Sequence, residues 1–181
     1  MYEKTVESET VFKGRLLTVE KQKVELESGT YASREVVRHR GAVAVLARLP
    51  DGQFVLVQQF RKPVEQELVE VVAGCLECGE LPEECARREV REETGYTVLT
   101  IRPLGVLYPT PGYCDEVLHL FYADLDPLRQ AQRPDDDERV KVLYFTAAEL
   151  DRRLTTHAIR DAKTIALWLR YEKSPWFHGA G

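Results

Sequence analysis

No stretch of the sequence carries the roughly 18 to 20 consecutive apolar residues that a membrane-spanning helix needs. A basic surplus is missing too. The chain has 25 Lys and Arg against 30 Asp and Glu, a net charge of −5, which argues against a general nucleic-acid binder. Cysteine is sparse, at Cys75, Cys78, Cys85 and Cys114, which makes a disulfide framework a poor expectation. Cys75 and Cys78 form a CxxC, but no second CxxC and no His pair at ligand spacing accompanies them, so reduced thiols are expected rather than structural zinc. The N-terminal MYEKTVESET has no apolar signal region, and no repeat or low-complexity tract follows it, so cytoplasmic residence is expected.

What is present fits one ordinary globular domain: 181 residues, 44% apolar and 30% charged. The first third reads as strands. Thr18 to Leu26 alternates, Ser28-Gly29 turns, and Tyr31 to Val37 resumes an extended pattern. Ala42 to Leu49 is nearly all apolar, as in a strand buried on both faces. Pro50-Asp51-Gly52 then turns the chain into Phe54 to Phe60, and Leu68 to Ala73 reads as one further short strand. The period changes at Leu81 to Glu93, with Pro82 in a first helical turn and Gly95 as a stop. Strands return at Leu104 to Tyr108, Val117 to Ala123 and Val140 to Phe145. Thr146-Ala-Ala-Glu149 is a capping box that opens a second helix. Asp161 caps a third, to about Lys173, whose inward residues are expected to be Ala162, Ile165, Ala166 and Leu169. Many strands with one helix among them and two at the end indicate a mixed α/β sandwich.

The chemistry concentrates in Gly74 to Tyr96, GCLECGELPEECARREVREETGY. On a helix Glu89 and Glu93 lie one turn apart on one face, with Glu92 beside them. Three like charges on one stripe repel in water, whereas a hard divalent cation turns the same stripe into a ligand set. The plainer reading is a solvated helix neutralised by Arg87, Arg88 and Arg91. The stretch, however, resembles the signature of the Nudix hydrolases at Gly74, Glu80, Arg88, Glu89, Val90, Glu92, Glu93, Gly95 and Tyr96, with Tyr96 standing where an aliphatic is usual.

That resemblance implies an α/β (α+β) fold. It would be a Nudix-type α/β/α sandwich with a mixed β-sheet and an N-terminal antiparallel strand region, divided as residues 1–40 and 41–181. It implies Glu89 and Glu93 as metal ligands, Glu92 in support, and the backbone carbonyl of Ala73 as a further ligand to Mg²⁺ or Mn²⁺. Arg88 and Glu80 are expected to shape the loop and helix by an ion pair rather than to react.

Outside the signature the chain is similar to the ADP-ribose pyrophosphatase branch. The similarity lies in Arg34-Glu35-Val36-Val37 leading to His39, in Gln58 to Pro63, in Leu68-Val69-Glu70, and in Pro111-Gly112 followed by Asp115-Glu116. Arg40 and Val72 depart from it, each where that branch often has Pro. The resemblance implies that Arg61 contacts the diphosphate, that Glu70 hydrogen-bonds the terminal ribose, and that Pro111 and Gly112 line the substrate loop. An acidic run such as Pro134 to Glu138 is usually just solvated, but the resemblance implies that a carboxylate there binds metal or activates water, with Glu138 the first choice and Asp136 the second.

The reaction implied is hydrolysis of ADP-ribose to AMP and ribose 5-phosphate, in a homodimer that exchanges N-terminal strands. Three other readings stand beside it: a Nudix hydrolase of GDP-mannose or flavin adenine dinucleotide, a catalytically silent ADP-ribose sensor, and a purely structural domain.

Overall fold

A computed structural model of the chain describes residues 2–132 and 139–174. The chain divides into two compact units, Met1–Gly41 with Leu107–Leu118, and Ala42–Val106 with His119–Gly181.

The first unit is a three-stranded antiparallel sheet of β1 (Glu3–Lys13), β2 (Thr18–Leu26) and β3 (Tyr31–Arg38), with β2 in the middle. Gly29 makes the β2–β3 turn at φ 80°, a backbone region that costs glycine nothing, and its N–H donates to the Leu26 carbonyl at 2.8 Å. β1 adds to the strands read from sequence, which began at Thr18. All of its residues are exposed, so its side chains show no alternating apolar stripe. In the second stretch of this unit, Val37 donates to the Tyr113 carbonyl at 2.7 Å and Asp115 to the Val37 carbonyl at 3.1 Å.

The second unit is built on a seven-stranded sheet. β4 (Ala42–Arg48) and β5 (Phe54–Arg61) form an antiparallel hairpin over Pro50-Asp51-Gly52. β6 (Gln66–Glu70) pairs with β5, and β7 (Val72–Cys75) pairs with β4. These two replace the single strand expected from Leu68 to Ala73. The break falls at Val71, whose N–H leaves the ladder and donates to Thr164 Oγ1 at 2.9 Å. β8 (Val98–Leu107), β9 (Leu118–Leu125) and β10 (Lys141–Phe145) complete the order β10-β5-β4-β9-β8.

Alternation along the strands divides the core into two faces. Val43, Val45, Ala47, Val55 and Val57 point to one side and pack with Ala86 and Val90 of α1 (Pro82–Thr94). Phe54 points to the other, where its ring meets Trp168 at 5.3 Å and Tyr171 at 5.5 Å, both from α3 (Ala162–Glu172). This is a helix–sheet–helix sandwich, with α2 (Ala147–Thr155) beside β10. The capping box of α2 forms as read: Thr146 Oγ1 accepts from Glu149 N at 3.2 Å, and Glu149 Oε2 accepts from Thr146 N at 2.9 Å.

The inward face of α3 corrects the sequence reading. Thr164, Leu167, Trp168 and Tyr171 are buried, while Ile165 is 45% and Leu169 54% exposed. The aromatic pair decides the rotation, because two large rings bury more apolar surface than the aliphatics of the expected stripe. Among the described residues no helix is long and apolar enough to cross a membrane.

Candidate active site

α1 forms where Pro82 supplies a preset φ at its first position and Glu84 accepts from the N-cap Leu81 N–H at 3.4 Å. It ends at Gly95, which adopts φ 78° and donates to the Arg91 carbonyl at 3.0 Å. A Cβ at Gly95 would also overlap the carbonyl oxygen of Gln130, so both backbone angle and space call for glycine. The buried stripe is Cys85, Ala86, Val90, Glu93 and Thr94. Glu93 therefore occupies a core-facing position, 2% exposed, which a carboxylate rarely takes. Burial pushes the Cys85 thiol well above its ordinary range, which makes it inert; its Sγ donates to the Cys75 carbonyl at 3.5 Å.

The expected Arg88–Glu80 ion pair is present and bidentate: Nε to Oε1 at 2.8 Å and Nη2 to Oε2 at 3.0 Å. That pairing holds the Glu80 carboxyl down at about 2, against a smaller opposing effect of desolvation. Arg88 Nη1 also donates to Glu89 at 2.7 Å and to Glu92 at 2.9 Å. One guanidinium thus gathers the loop carboxylate and two of the three helix carboxylates.

Gly74 explains how Glu89 meets the sheet. A Cβ built there would overlap the Glu89 carboxylate, so the missing side chain is a cradle that this carboxylate fills. Gly74 pairs with Val43 and Ala73 with Ala44, which puts the Ala73 backbone one residue from that cradle. Among the described residues no three His, Cys, Asp or Glu side chains form a ready-made metal cluster. The donor set nevertheless fits a hard divalent cation, since it is all oxygen and lies on one helix face against a glycine opening.

Arg61 ends β5 and points Nε and Nη2 at Glu70 Oε1 and Oε2, at 2.8 and 2.7 Å. Glu70, expected at a ribose, is fully buried, and its Oε2 also accepts from Lys163 Nζ. Burial raises the Glu70 pKa, but Arg61 and Lys163 outweigh it and hold the carboxyl below its ordinary value. Arg61 in turn is pushed above its usual range by Glu70, with smaller attractions to Glu93 and Asp161. Lys163 was missed in the sequence reading. Its one signal is a cation in the first turn of a helix, where the macrodipole disfavours positive charge.

Pro111 and Gly112 belong to the first unit. Beside them Asp115 accepts from the His39 N–H at 2.8 Å and from Arg38 at 3.0 Å. Glu138 and Asp136 lie outside the described residues. Before that segment, Gln132 donates to the Glu93 carbonyl and, at 3.5 Å, to the Val140 carbonyl that follows it. Tyr96, the soft departure from the signature, is buried, and its hydroxyl lies 3.0 Å from that of Tyr144, which satisfies the one polar atom an aliphatic would lack.

Residues 38–168 match the family model described as NUDIX domain, and residues 3–37 match that described as Nucleoside diphosphate sugar hydrolase N-terminal domain. The chain belongs to the Nudix family. Members of the Nudix family generally depend on a divalent metal. A Bacillus subtilis (strain 168) protein named ADP-ribose pyrophosphatase is 42% identical over 163 residues, covering 90% of this chain and 88% of its own. A Bacillus methanolicus protein named Methanol dehydrogenase activator is 40% identical over 164 residues, covering 90% and 89%. A solved structure described as an ADP compounds hydrolase superposes with a TM-score of 0.85 at 22% identity, across 100% of this chain and 97% of the other, which shows a shared fold.

Proposed function

We propose that the protein hydrolyses the pyrophosphate bond of ADP-ribose to AMP and ribose 5-phosphate, using Mg²⁺ or Mn²⁺. The observation that carries this reading is the Glu89 carboxylate laid into the Gly74 cradle, on a helix where Arg88 gathers Glu80, Glu89 and Glu92. The similarity to the Bacillus subtilis ADP-ribose pyrophosphatase supports the choice of substrate.

Glu89 and Glu93 would hold the ion, with Glu92 in support and the Ala73 carbonyl as a further ligand. Arg88 restrains Glu89 and Glu92 through its Nη1. A bound divalent ion supplies charge neutralisation at the diphosphate and makes water acidic enough to attack at neutral pH. Arg61 offers Nη1, the guanidinium nitrogen not turned to Glu70, to a diphosphate oxygen and holds the group for in-line attack. Glu70 acts as the anchor of that arginine. Glu138, or Asp136, accepts the proton of the attacking water at its carboxylate oxygen; Gln132 and Val140, which flank that segment in sequence, are tied to each other and, through Gln132, to Glu93. Pro111 and Gly112 line the substrate loop. The protein works as a homodimer in the cytoplasm, with residues 1–40 as the exchanged region and 41–181 as the catalytic domain.

The test is release of AMP or GMP from ADP-ribose, GDP-mannose and flavin adenine dinucleotide by wild type, Glu93→Gln and Glu138→Gln. ADP-ribose is expected to be the best substrate, and loss of a metal ligand in Glu93→Gln to slow turnover at least about a thousandfold. Binding of ADP-ribose without release of AMP would replace the enzyme reading with that of a sensor.

A further inference from the structure

The start of α3 and the residue before its N-cap reach β6 and the residue after it three times. Arg160 donates to Gln66 Oε1 at 2.8 Å, Lys163 to Glu70 Oε2, and Thr164 Oγ1 accepts from Val71 N at 2.9 Å. The last contact lies two residues before Ala73. Asp161 organises this turn by accepting from Thr164 N at 2.9 Å and Thr164 Oγ1 at 2.6 Å, and it takes a second bond from Lys163 at 2.7 Å.

Lys163 is costly where it stands. Its charge opposes the helix macrodipole. Its side chain is only 17% exposed, so the ammonium has given up much of its water. Such a placement persists when something gains from it, and Glu70 does. Glu70 is 1% exposed at its side chain and accepts three charged donors, two from Arg61 and one from Lys163. With Arg61 alone, the carboxylate would be free to pivot about the fork. The third donor arrives from a different element and fixes the carboxylate plane. A guanidinium bound to it through two parallel bonds must follow that plane.

We infer that Lys163 is a positioning residue for phosphoanhydride hydrolysis, acting through Glu70 to aim Arg61 at the substrate diphosphate. The inference rests on the reading that Arg61 contacts that diphosphate. Lys163 itself touches no substrate. Its removal affects how well the diphosphate is held, not the carboxylates of α1.

The experiment is a double-mutant cycle of Lys163→Met and Arg61→Ala, with Lys163→Arg as the conservative variant, assayed on ADP-ribose. Alongside it, the side-chain Nε–H resonance of Arg61 is followed by NMR. Lys163→Met is expected to lower kcat/KM about ten- to a hundredfold, with the larger part in KM, and to shift or broaden the Arg61 Nε–H signal. Lys163→Arg is expected to restore most of both. In the Arg61→Ala background the same Lys163→Met change should cost less than about threefold, because its target is gone. Should Lys163→Met melt below the assay temperature, Lys163→Gln, which keeps a neutral donor to Glu70, takes its place in the cycle.

A full-sized loss in the Arg61→Ala background, or an unmoved Arg61 signal in active protein, overturns the inference and leaves the hydrolase reading standing. Wild type that turns over none of the nucleoside diphosphates while the Arg61 signal still responds overturns the hydrolase reading instead; the coupling of Lys163 to Arg61 then stands without its catalytic meaning.

Discussion

Arg88 carries one positive charge and faces three carboxylates, Glu80, Glu89 and Glu92. Glu80 takes the bidentate share and is held at about 2. A carboxyl whose folded pKa lies below its unfolded value stabilises the fold above the unfolded pKa, near 4.5, and loses that contribution as pH falls toward 2. Glu80→Gln should therefore unfold more easily at pH 7, by about 1 kcal/mol once solvent screening is allowed for, and the gap to wild type should close between pH 4.5 and 2. Urea unfolding at pH 7, 4 and 2.5 checks this, and a gap that does not change with pH would show that the pair acts by shape alone. Gly74 makes a different kind of prediction. The group that an added methyl would strike there is the far end of a flexible glutamate, which can swing away. Gly74→Ala should thus leave the melting temperature within a few degrees of wild type. The Mn²⁺ needed for half-maximal activity should rise about ten- to a hundredfold, as when support of a metal ligand is lost. A variant that unfolds instead would mean that the cradle serves packing.

At the scale of elements, the parts legible in the sequence are those whose signals are local. The helix within Gly74 to Tyr96 reads correctly because its first-turn Pro82 and its Gly95 stop lie in the helix and its flank. The Arg61–Glu70–Lys163 group does not, because Lys163 is 93 residues from Glu70 and only the fold joins them. The split of β6 from β7 escapes for the same reason: the Val71 N–H is drawn off by Thr164, also 93 residues away. α3 shows a failure of periodicity itself. Its apolar residues surround it, and the inward face is settled by the Phe54, Trp168 and Tyr171 rings. The two possible rotations make opposite predictions. Trp168→Ala should cost about 3 to 5 kcal/mol, whereas Leu169→Ala should stay within about 0.5 kcal/mol of wild type. Denaturant midpoints measure both, and a reversal of that order would restore the stripe of Ile165 and Leu169.

For the whole molecule the open question is what β1 is for. It is an edge strand of the first unit with every side chain exposed, including Val6 at 43%, Val11 at 54% and Phe12 at 56%. Glu3, Lys4, Glu7, Glu9 and Lys13 on the same strand are the charges by which an edge resists indiscriminate pairing. Charge alone would have sufficed for that. Full burial of a Val or Phe side chain is worth roughly 1.5 to 3 kcal/mol, and with about half of each still exposed, Val11 and Phe12 together offer a second copy of the chain roughly that much. Exchange of N-terminal strands in a homodimer would collect it, with the interspersed charges fixing the register. Sedimentation of a chain of 20.8 kDa at micromolar concentration should then report about twice that mass. Val11→Glu with Phe12→Glu should shift the population to monomer. A wild-type protein that sediments as a single chain at that concentration removes the dimer, and β1 is then a solvated edge paired with β2 and tied to β3 through Glu3 and Arg34.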